Sequence, residues 1–305
     1  VVVADIRLKK AEAVAAAEEA ARLARAGGDL AAEGTALVAL ATARRARGEY
    51  VLGSEAARGA LTLADAAKSP ALAARAHNVL GLIAASEGEP GAALRHALEA
   101  QSLFEQVGDR RGLSQALNNV GNSLRRLGEY ERALDFHGRS LALKLASGDR
   151  DGAGYSHHNM GEVHLQKGDP LQALEAFRKA EREWQAVGSV RAIAAAVRSE
   201  GMAFEALGRP EDALERYRRS LALRRDTVNP RGEAETLLSL GSLLLRLDRP
   251  REAADAYRGG IVISRRLGHS ALSADLLGGL ADAEAARGQT RAASLARAEE
   301  SSLLR

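Results

Sequence analysis

The sequence of 305 residues contains no cysteine, which excludes disulfide bonds and thiolate metal sites and suits a reducing compartment such as the cytoplasm. It also lacks any run of about 18 apolar residues, so no segment is predicted to span a membrane. Aromatic residues make up only 3% of the chain, although 46% of it is hydrophobic. The buried surface must therefore consist mainly of Ala, Leu and Val, which suit close packing between helices.

The sequence also has no large excess of basic over acidic residues. The chain has 43 basic and 40 acidic residues, a formal net charge of +3. Nucleic-acid binding needs basic side chains clustered on one face, whereas the arginines here alternate with acidic residues, which favours solvated helix faces and argues against a nucleic-acid partner. The clearest of these pairs are Arg218 and Arg219, Arg224 and Arg225, and Arg265 and Arg266.

Motifs that assemble catalytic or metal sites are absent. The sequence has no Walker loop, G-x-G-x-x-G, H-E-x-x-H or G-x-S-x-G. Residues 149–152 resemble the opening of a calcium loop, but Met160 stands where the bidentate Glu is required. His157 and His164 are not spaced by about one helical turn, as paired metal ligands on a helix are, and core packing is favoured for both. We predict no catalytic site, no metal site and no cofactor.

What the chain does have is an internal repeat with an offset of 40 residues. Turn residues recur in two series, which leave two segments of roughly 18 residues per period, the length of a helix and too long for a strand. Each period is therefore predicted to be a helical hairpin. The two series are Gly48, Gly88, Gly128, Gly168, Gly208, Asp248 and Gly288, and Gly28, Lys68, Gly108, Gly148, Gly188, Val228 and Gly268.

The six prolines follow the same period, because each comes two residues after a turn position, where the first turn of a helix tolerates a missing N–H. Asp109 and Asp149, which follow turn glycines, are predicted to cap the next helix. We predict an all-α fold, a right-handed α-solenoid of stacked antiparallel helix pairs. Residues 1–305 would form a single domain, with a half repeat at 4–26 and seven hairpins over 30–304. Since the chain begins with Val1, we expect it to be part of a longer protein.

The hairpins resemble tetratricopeptide repeats, whose pattern is W-x2-L-G-x2-Y in the first helix and A-x3-F in the second. The period of 40 and the run Asn-Asn-Val-Gly-Asn are most similar to the long-repeat Pins/LGN type and to bacterial regulatory proteins. The resemblance implies binding of an extended or helical peptide in a concave groove lined by first helices. The motif positions are filled by Leu117, Val120, Gly121, Leu124, Ala133 and His137 in one repeat and by Leu237, Leu240, Gly241, Leu244, Ala253 and Tyr257 in another.

Groove-facing positions are expected six, three and two residues before the marker glycine of each first helix and one and four residues after it. Amide side chains there can donate to and accept from a peptide backbone; alternatively, the asparagines bond only to neighbouring helices. The candidate residues are Arg75, Asn78, Gln115, Asn118, Asn119, Asn122, Arg125, Tyr155, His158, Asn159, Glu162, Arg198 and Met202.

Three functions remain open from the sequence. The first is a non-enzymatic protein–protein interaction scaffold that binds a peptide or protein segment in the groove. The second is a ligand- or peptide-sensing regulatory domain of a larger bacterial signalling or transcription protein. The third, which the charge balance disfavours, is nucleic-acid binding through the arginine-bearing helices. Glu200, which takes a slot where the motif has Leu, is expected to pair with a nearby Arg.

Overall fold

A computed structural model describes the backbone of residues 2–304 and the side chains of residues 9–304. That part of the chain forms fifteen helices, α1 to α15 in chain order, and contains no strand. Their bounds are Val2–Ala26, Leu30–Arg47, Tyr50–Ala66, Pro70–Ser86, Pro90–Val107, Arg110–Arg126, Tyr130–Ala146, Arg150–Lys167, Pro170–Ala186, Val190–Ala206, Pro210–Asp226, Pro230–Arg246, Pro250–Leu267, Ser270–Ala286 and Thr290–Leu303.

The turns lie where the period predicts them. All fourteen turn positions have a positive φ between 49° and 89°, and three of them carry a side chain, namely Lys68, Val228 and Asp248. Each of the six prolines is the first residue of its helix. Asp109 and Asp149 accept hydrogen bonds from the N–H of Gly112 and Gly152, at 2.9 Å in both cases. The predicted turns, the proline positions and both caps are therefore confirmed.

The helices belong to two compact units, one up to Val163 and one from His164. In the first unit, α2 packs on α3, α4 on α5 and α6 on α7, and the first helices α2, α4 and α6 contact one another in sequence. In the second unit, α10–α11, α12–α13 and α14–α15 pair in the same way. The prediction of an all-α fold of stacked helix pairs is confirmed, and the prediction of a single domain over residues 1–305 stays a prediction.

Three helix pairs are closed by a glycine of the first helix that lies beneath a ring of the second. Gly121 in α6 lies under the ring of His137 in α7, and Gly201 and Gly241 lie in the same way under Tyr217 and Tyr257. A Cβ atom at Gly121 would stand 2.7 Å from His137 Cε1. His137 is fully buried, and this burial, together with the charge of Arg125, lowers its pKa to about 3. The imidazole is thus neutral and serves as a packing group.

One arginine departs from the predicted pattern. Arg224, which we expected on a solvated face, is only 4% exposed, so that interpretation is wrong. Its register position in α11 is that of Trp184 in α9, which also packs inward. The guanidinium occupies the space left by Gly232, where a Cβ atom would lie 1.5 Å from Arg224 Nη1. Burial lowers the pKa of Arg224. The prediction failed because the charge pattern of α11 alone does not show that Gly232 of α12 leaves space for this side chain.

Glu200 in α10 is a second buried charge, with 1% of its side chain exposed. Its Oε2 lies 3.6 Å from Nε of Arg216, so the predicted pairing with an arginine is confirmed. Oε1 has no donor among the described residues. Burial, followed by the neighbouring Glu181 carboxyl, raises the pKa of Glu200 to about 7, and the nearby arginines oppose this rise.

We expect Gly121→Ala to destabilise the first unit by about 2 kcal/mol, because the added methyl must displace the buried His137 ring. Gly138→Ala is the matched control, since no atom lies within 4 Å of a Cβ atom built there. The control should be neutral or stabilising by up to about 1 kcal/mol, the helix preference of Ala over Gly. Urea unfolding followed by circular dichroism measures both, and equal midpoints for the two variants would contradict the packing argument.

Glu200→Gln should stabilise the protein increasingly as the pH rises from 4.5 to about 7. The folded state holds the Glu200 proton more tightly than the unfolded chain, whose ordinary pKa is 4.5. The stabilising contribution of that proton is therefore complete below pH 4.5 and is lost as the pH rises through about 7. At pH 8 the neutral amide should raise stability by about 2 kcal/mol over the wild type.

Near pH 4.5 the advantage of Glu200→Gln should vanish. The control is Glu215→Gln on the exposed side of α11, which should shift stability little at either pH. Thermal unfolding at pH 4.5, 6 and 8 separates the outcomes. A gain from Glu200→Gln that is independent of pH would show that the carboxyl is not a proton-binding group of the folded state.

Candidate functional site

The predicted groove residues of the first unit lie on α4, α6 and α8. Side chains spaced by three or four residues lie on one side of a helix, and Gln115, Asn118, Asn122 and Arg125 follow this spacing in α6. Gln115 is exposed, and the three that follow are partly buried. The exposure of this row therefore decreases from Gln115 toward the C-terminal end of α6.

Two pairs of asparagines join successive first helices. Asn119 Nδ2 donates to Asn78 Oδ1 at 2.8 Å, and Asn159 Nδ2 donates to Asn118 Oδ1 at 2.9 Å. Both bonds span 41 residues, one period plus one residue. An amide side chain has two N–H donors and an oxygen with two lone pairs, so each of these groups can accept or donate a further bond. Inter-helix bonding and ligand contact are thus compatible.

Asn122 differs from the paired asparagines. It has no hydrogen-bond partner among the side chains the structure describes, although it is partly buried. A polar group in such a position is costly unless water or a ligand bonds it. Of the predicted asparagines, Asn122 is therefore the one with the most bonding capacity left.

A cavity of about 330 Å³ opens beside Asn122. It brings together five of the predicted residues and adds eight that the sequence analysis did not name. The predicted ones are Asn119, Asn122, Arg125, Asn159 and Glu162, and the others are Arg45, Gly81, Leu82, Ala85, Ser86, Ala93, Ser123 and Arg126. All thirteen belong to the first unit.

The cavity carries more positive than negative charge. Arg125 Nη2 lies 3.2 Å from Glu162 Oε2, and Arg126 Nη1 donates to the carbonyl of Ala85 at 2.5 Å. The Arg45 side chain has no ion-pair or hydrogen-bond partner among the described residues, and its Nε atom is buried. Sequence analysis missed Arg45, yet it lies four residues after the marker position of α2, which is the register of Arg125.

Six predicted residues lie on the same helices but do not line the cavity. Asn78 and Asn118 form the far ends of the asparagine pairs. Arg75 is exposed, as is Tyr155 at 50%, and burial followed by the charge of Asp151 raises the pKa of Tyr155. Gln115 is also exposed, and His158 is partly buried.

In the second unit, the predicted residues Arg198 and Met202 are neighbours on α10. Arg198 Nη1 lies 3.5 Å from Met202 Sδ and donates to Ser239 Oγ of α12 at 3.4 Å. The bond to Ser239 again spans 41 residues. First helices of this unit are therefore linked in the same register as those of the first unit.

The described side chains contain no group of three or more His, Cys, Asp or Glu residues placed to hold a metal ion. None of the described helices combines the length and the apolarity that crossing a membrane requires. The polar groups around the cavity are amides, guanidinium groups, hydroxyls and one carboxylate, which can bind and orient a polar ligand by hydrogen bonds and charge.

Comparison with solved structures shows the same fold. BtubC from P. vanneervenii is 17% identical, and the match covers 72% of this chain and 92% of that one with a TM-score of 0.62. The Rap conjugation gene regulator of plasmid pLS20, solved with the Phr* peptide, is 15% identical over 92% of this chain and 78% of that one, with a TM-score of 0.64.

A signal transduction ATPase with numerous domains and a tetratricopeptide repeat sensor, from Pyrococcus horikoshii, is 14% identical. The match covers 88% of this chain but 42% of that protein, with a TM-score of 0.69. No curated protein sequence matches the chain. The tetratricopeptide repeat model matches residues 72–146, 116–186, 152–226 and 191–261, which together cover more than half of the sequence. The chain therefore belongs to the tetratricopeptide repeat family.

Proposed function

We propose that the protein is a non-enzymatic interaction scaffold whose first helices α4, α6 and α8 bind an extended peptide segment of another protein. The observation that carries this proposal is the row of amide side chains that leads into the 330 Å³ cavity. Amides bond a peptide backbone without selecting its side chains, and a cavity at the end of the row can hold one side chain. Together these features fit a peptide better than a compact metabolite.

Similar proteins support this reading. The Rap regulator of plasmid pLS20 was solved with a bound peptide, and Rap protein was solved with Competence and Sporulation Factor. The 40-residue period and the asparagine row favour the Pins/LGN-like or bacterial regulatory type. We place the protein in the cytoplasm, because a chain without cysteine suits a reducing compartment.

Asn122→Ala should weaken peptide binding about tenfold, the effect of losing a hydrogen bond in a partly buried site. It should leave the helix content unchanged, because Asn122 makes no bond to another described side chain. The test selects a displayed library of random peptides on the purified protein and then measures the affinity of an enriched peptide by fluorescence anisotropy.

The matched control for this test is Gln106→Ala, which removes an exposed amide from α5 outside the cavity. Its affinity should equal that of the wild type. Failure to enrich any peptide, or equal losses in the two variants, would contradict the proposal. In a separate experiment, the affinity for labelled oligonucleotides is measured at low and moderate salt. An affinity that falls steeply with salt would favour the nucleic-acid function instead.

A second candidate function is a sensor domain of a larger regulatory protein. It is favoured by the likeness to a signalling ATPase that carries a tetratricopeptide repeat sensor. The asparagine bonds between successive first helices offer a physical basis for sensing. A ligand that displaces the hydrogen bond from Asn119 or Asn159 to the adjacent helix changes how closely the helices pack.

If the first unit acts as a sensor, peptide binding should change the distance between α2 and the end of α6. Because the chain has no cysteine, Ala46→Cys and Leu127→Cys place two spin labels at exposed sites of this unit. We expect the enriched peptide to shift the label distance by about 2 Å or more, the size of rearrangement seen in regulatory interactions. An unchanged distance on saturation would favour the scaffold function alone.

A further inference from the structure

We propose that the contact between α9 and α10 is a proton-operated joint, which is closed while Glu181 and Glu200 share a proton and loosens when that proton is lost. The inference concerns the second unit alone and does not depend on peptide binding. It goes beyond the effect of Glu200 on stability, because it assigns a change of conformation to the folded chain. Its basis is the register of the repeats, the hydrogen-bond partners of the two carboxyl groups and the packing of Trp184.

Two acidic residues replace an aliphatic contact of the repeat. Glu181 of α9 and Glu200 of α10 are only 9% and 1% exposed. One period later, Leu221 and Leu240 take these positions, and both belong to one apolar cluster. The equivalent pairs elsewhere are Leu61 and Leu80, Gln101 and Val120, Leu141 and Met160, and Ile261 and Leu280. This is therefore the one repeat in which the contact carries two ionisable groups, whose burial is costly in the charged form.

The two carboxyl groups differ in their hydrogen-bond donors. Glu181 Oε1 accepts from Arg219 Nη2 at 2.6 Å and from Gln185 Nε2 at 2.9 Å. Glu200 is paired with Arg216, but the distance between Oε2 and the arginine Nε is 3.6 Å, longer than a hydrogen bond. Glu200 Oε1 has no donor among the described residues. Glu181 therefore has the donors that a carboxylate requires, and Glu200 does not.

A proton on Glu200 compensates for these missing donors. A protonated carboxyl can donate to a carboxylate, and the Glu200 side chain is hydrogen-bonded to that of Glu181. The charged groups that act on Glu200 from the neighbouring helices are Glu181 and Arg178 of α9 and Arg216 of α11. Burial and Glu181 raise the pKa of Glu200, whereas both arginines lower it. Loss of the proton brings two carboxylates into contact in the interior, and their repulsion favours separation of α9 from α10.

The same contact contains the only tryptophan of the sequence. Trp184 of α9 is 1% exposed and packs in a cluster with Ile193 and Val197 of α10. Trp184 follows Glu181 by three residues, and Glu200 follows Val197 by three. Residues with this spacing lie on one side of a helix, so the carboxyl pair and the tryptophan are adjacent parts of one contact. Loosening at the carboxyl pair should therefore open a path for small solutes to Trp184.

Acrylamide quenching of Trp184 fluorescence tests the joint in the full chain. The bimolecular quenching constant, which is obtained with fluorescence lifetimes, is measured from pH 5.5 to 8.5. In the wild type the constant should rise about twofold with a midpoint at about pH 7, because local opening admits the quencher. Circular dichroism over the same range verifies that the helix content stays constant, so that a rise is not caused by unfolding.

Three variants identify the groups responsible. Glu200→Leu introduces the residue type of the next repeat, and it should hold the quenching constant at the low value of pH 5.5 throughout. Glu181→Gln should move the midpoint to lower pH, because it removes the carboxyl that raises the pKa of Glu200 and supplies an amide donor. Glu215→Gln, on the exposed side of α11, is the matched control and should reproduce the wild-type curve.

Each outcome either supports or overturns the joint. A quenching constant that does not change with pH in the wild type would overturn it, since Arg216 would then neutralise Glu200 without movement of the helices. A rise that persists in Glu200→Leu would overturn it as well, because another group would be titrating. Equal midpoints in the wild type and Glu181→Gln would overturn the shared proton. A rise that Glu200→Leu abolishes, Glu181→Gln shifts and Glu215→Gln preserves supports the joint.

Discussion

The structure depends on how closely the two helices of each pair can approach. In three hairpins, a glycine in the first helix meets a ring from the second, as Gly121 meets His137 and Gly241 meets Tyr257. The ring fills the space that a Cβ atom would need, so the contact fixes both the separation of the helices and their register along the axis. Within a unit, hairpins that share this pair present their first helices in the same register.

That regularity generates the candidate site. Once the first helices stack in a constant register, residues about one period apart become neighbours, which is why Asn78 meets Asn119 and Asn118 meets Asn159. The cavity follows from a local departure from the rule, because Ala85 stands where Arg45 and Arg125 stand in the adjacent repeats. The regular packing provides a rigid surface, and one small side chain provides its recess. Binding specificity can thus change by single substitutions that leave the packing untouched.

Much of the fold was predictable from the sequence, because helix limits depend on local chemistry. The prolines begin helices because the first turn needs no N–H from them. The turns are mostly glycine because the backbone there has a positive φ. The candidate site was less predictable. Five of the predicted residues meet at the cavity, but Arg45 was overlooked although the same register rule identifies it. Arg224 was placed on the wrong face, because its burial depends on Gly232 of the following helix.

By itself, the sequence determined the period of the chain, the positions of its turns, the spacing of the amides along α6, and the family to which the hairpins are similar. These properties follow from spacing within one helix or one turn, and a linear pattern records them completely. Only the tertiary structure decided that Asn119 and Asn159 bond adjacent helices, that Asn122 keeps its bonding capacity, and that Arg45 lacks an anionic partner. Those facts depend on atoms about 40 or more residues apart in the chain, whose distances are set by packing between helices.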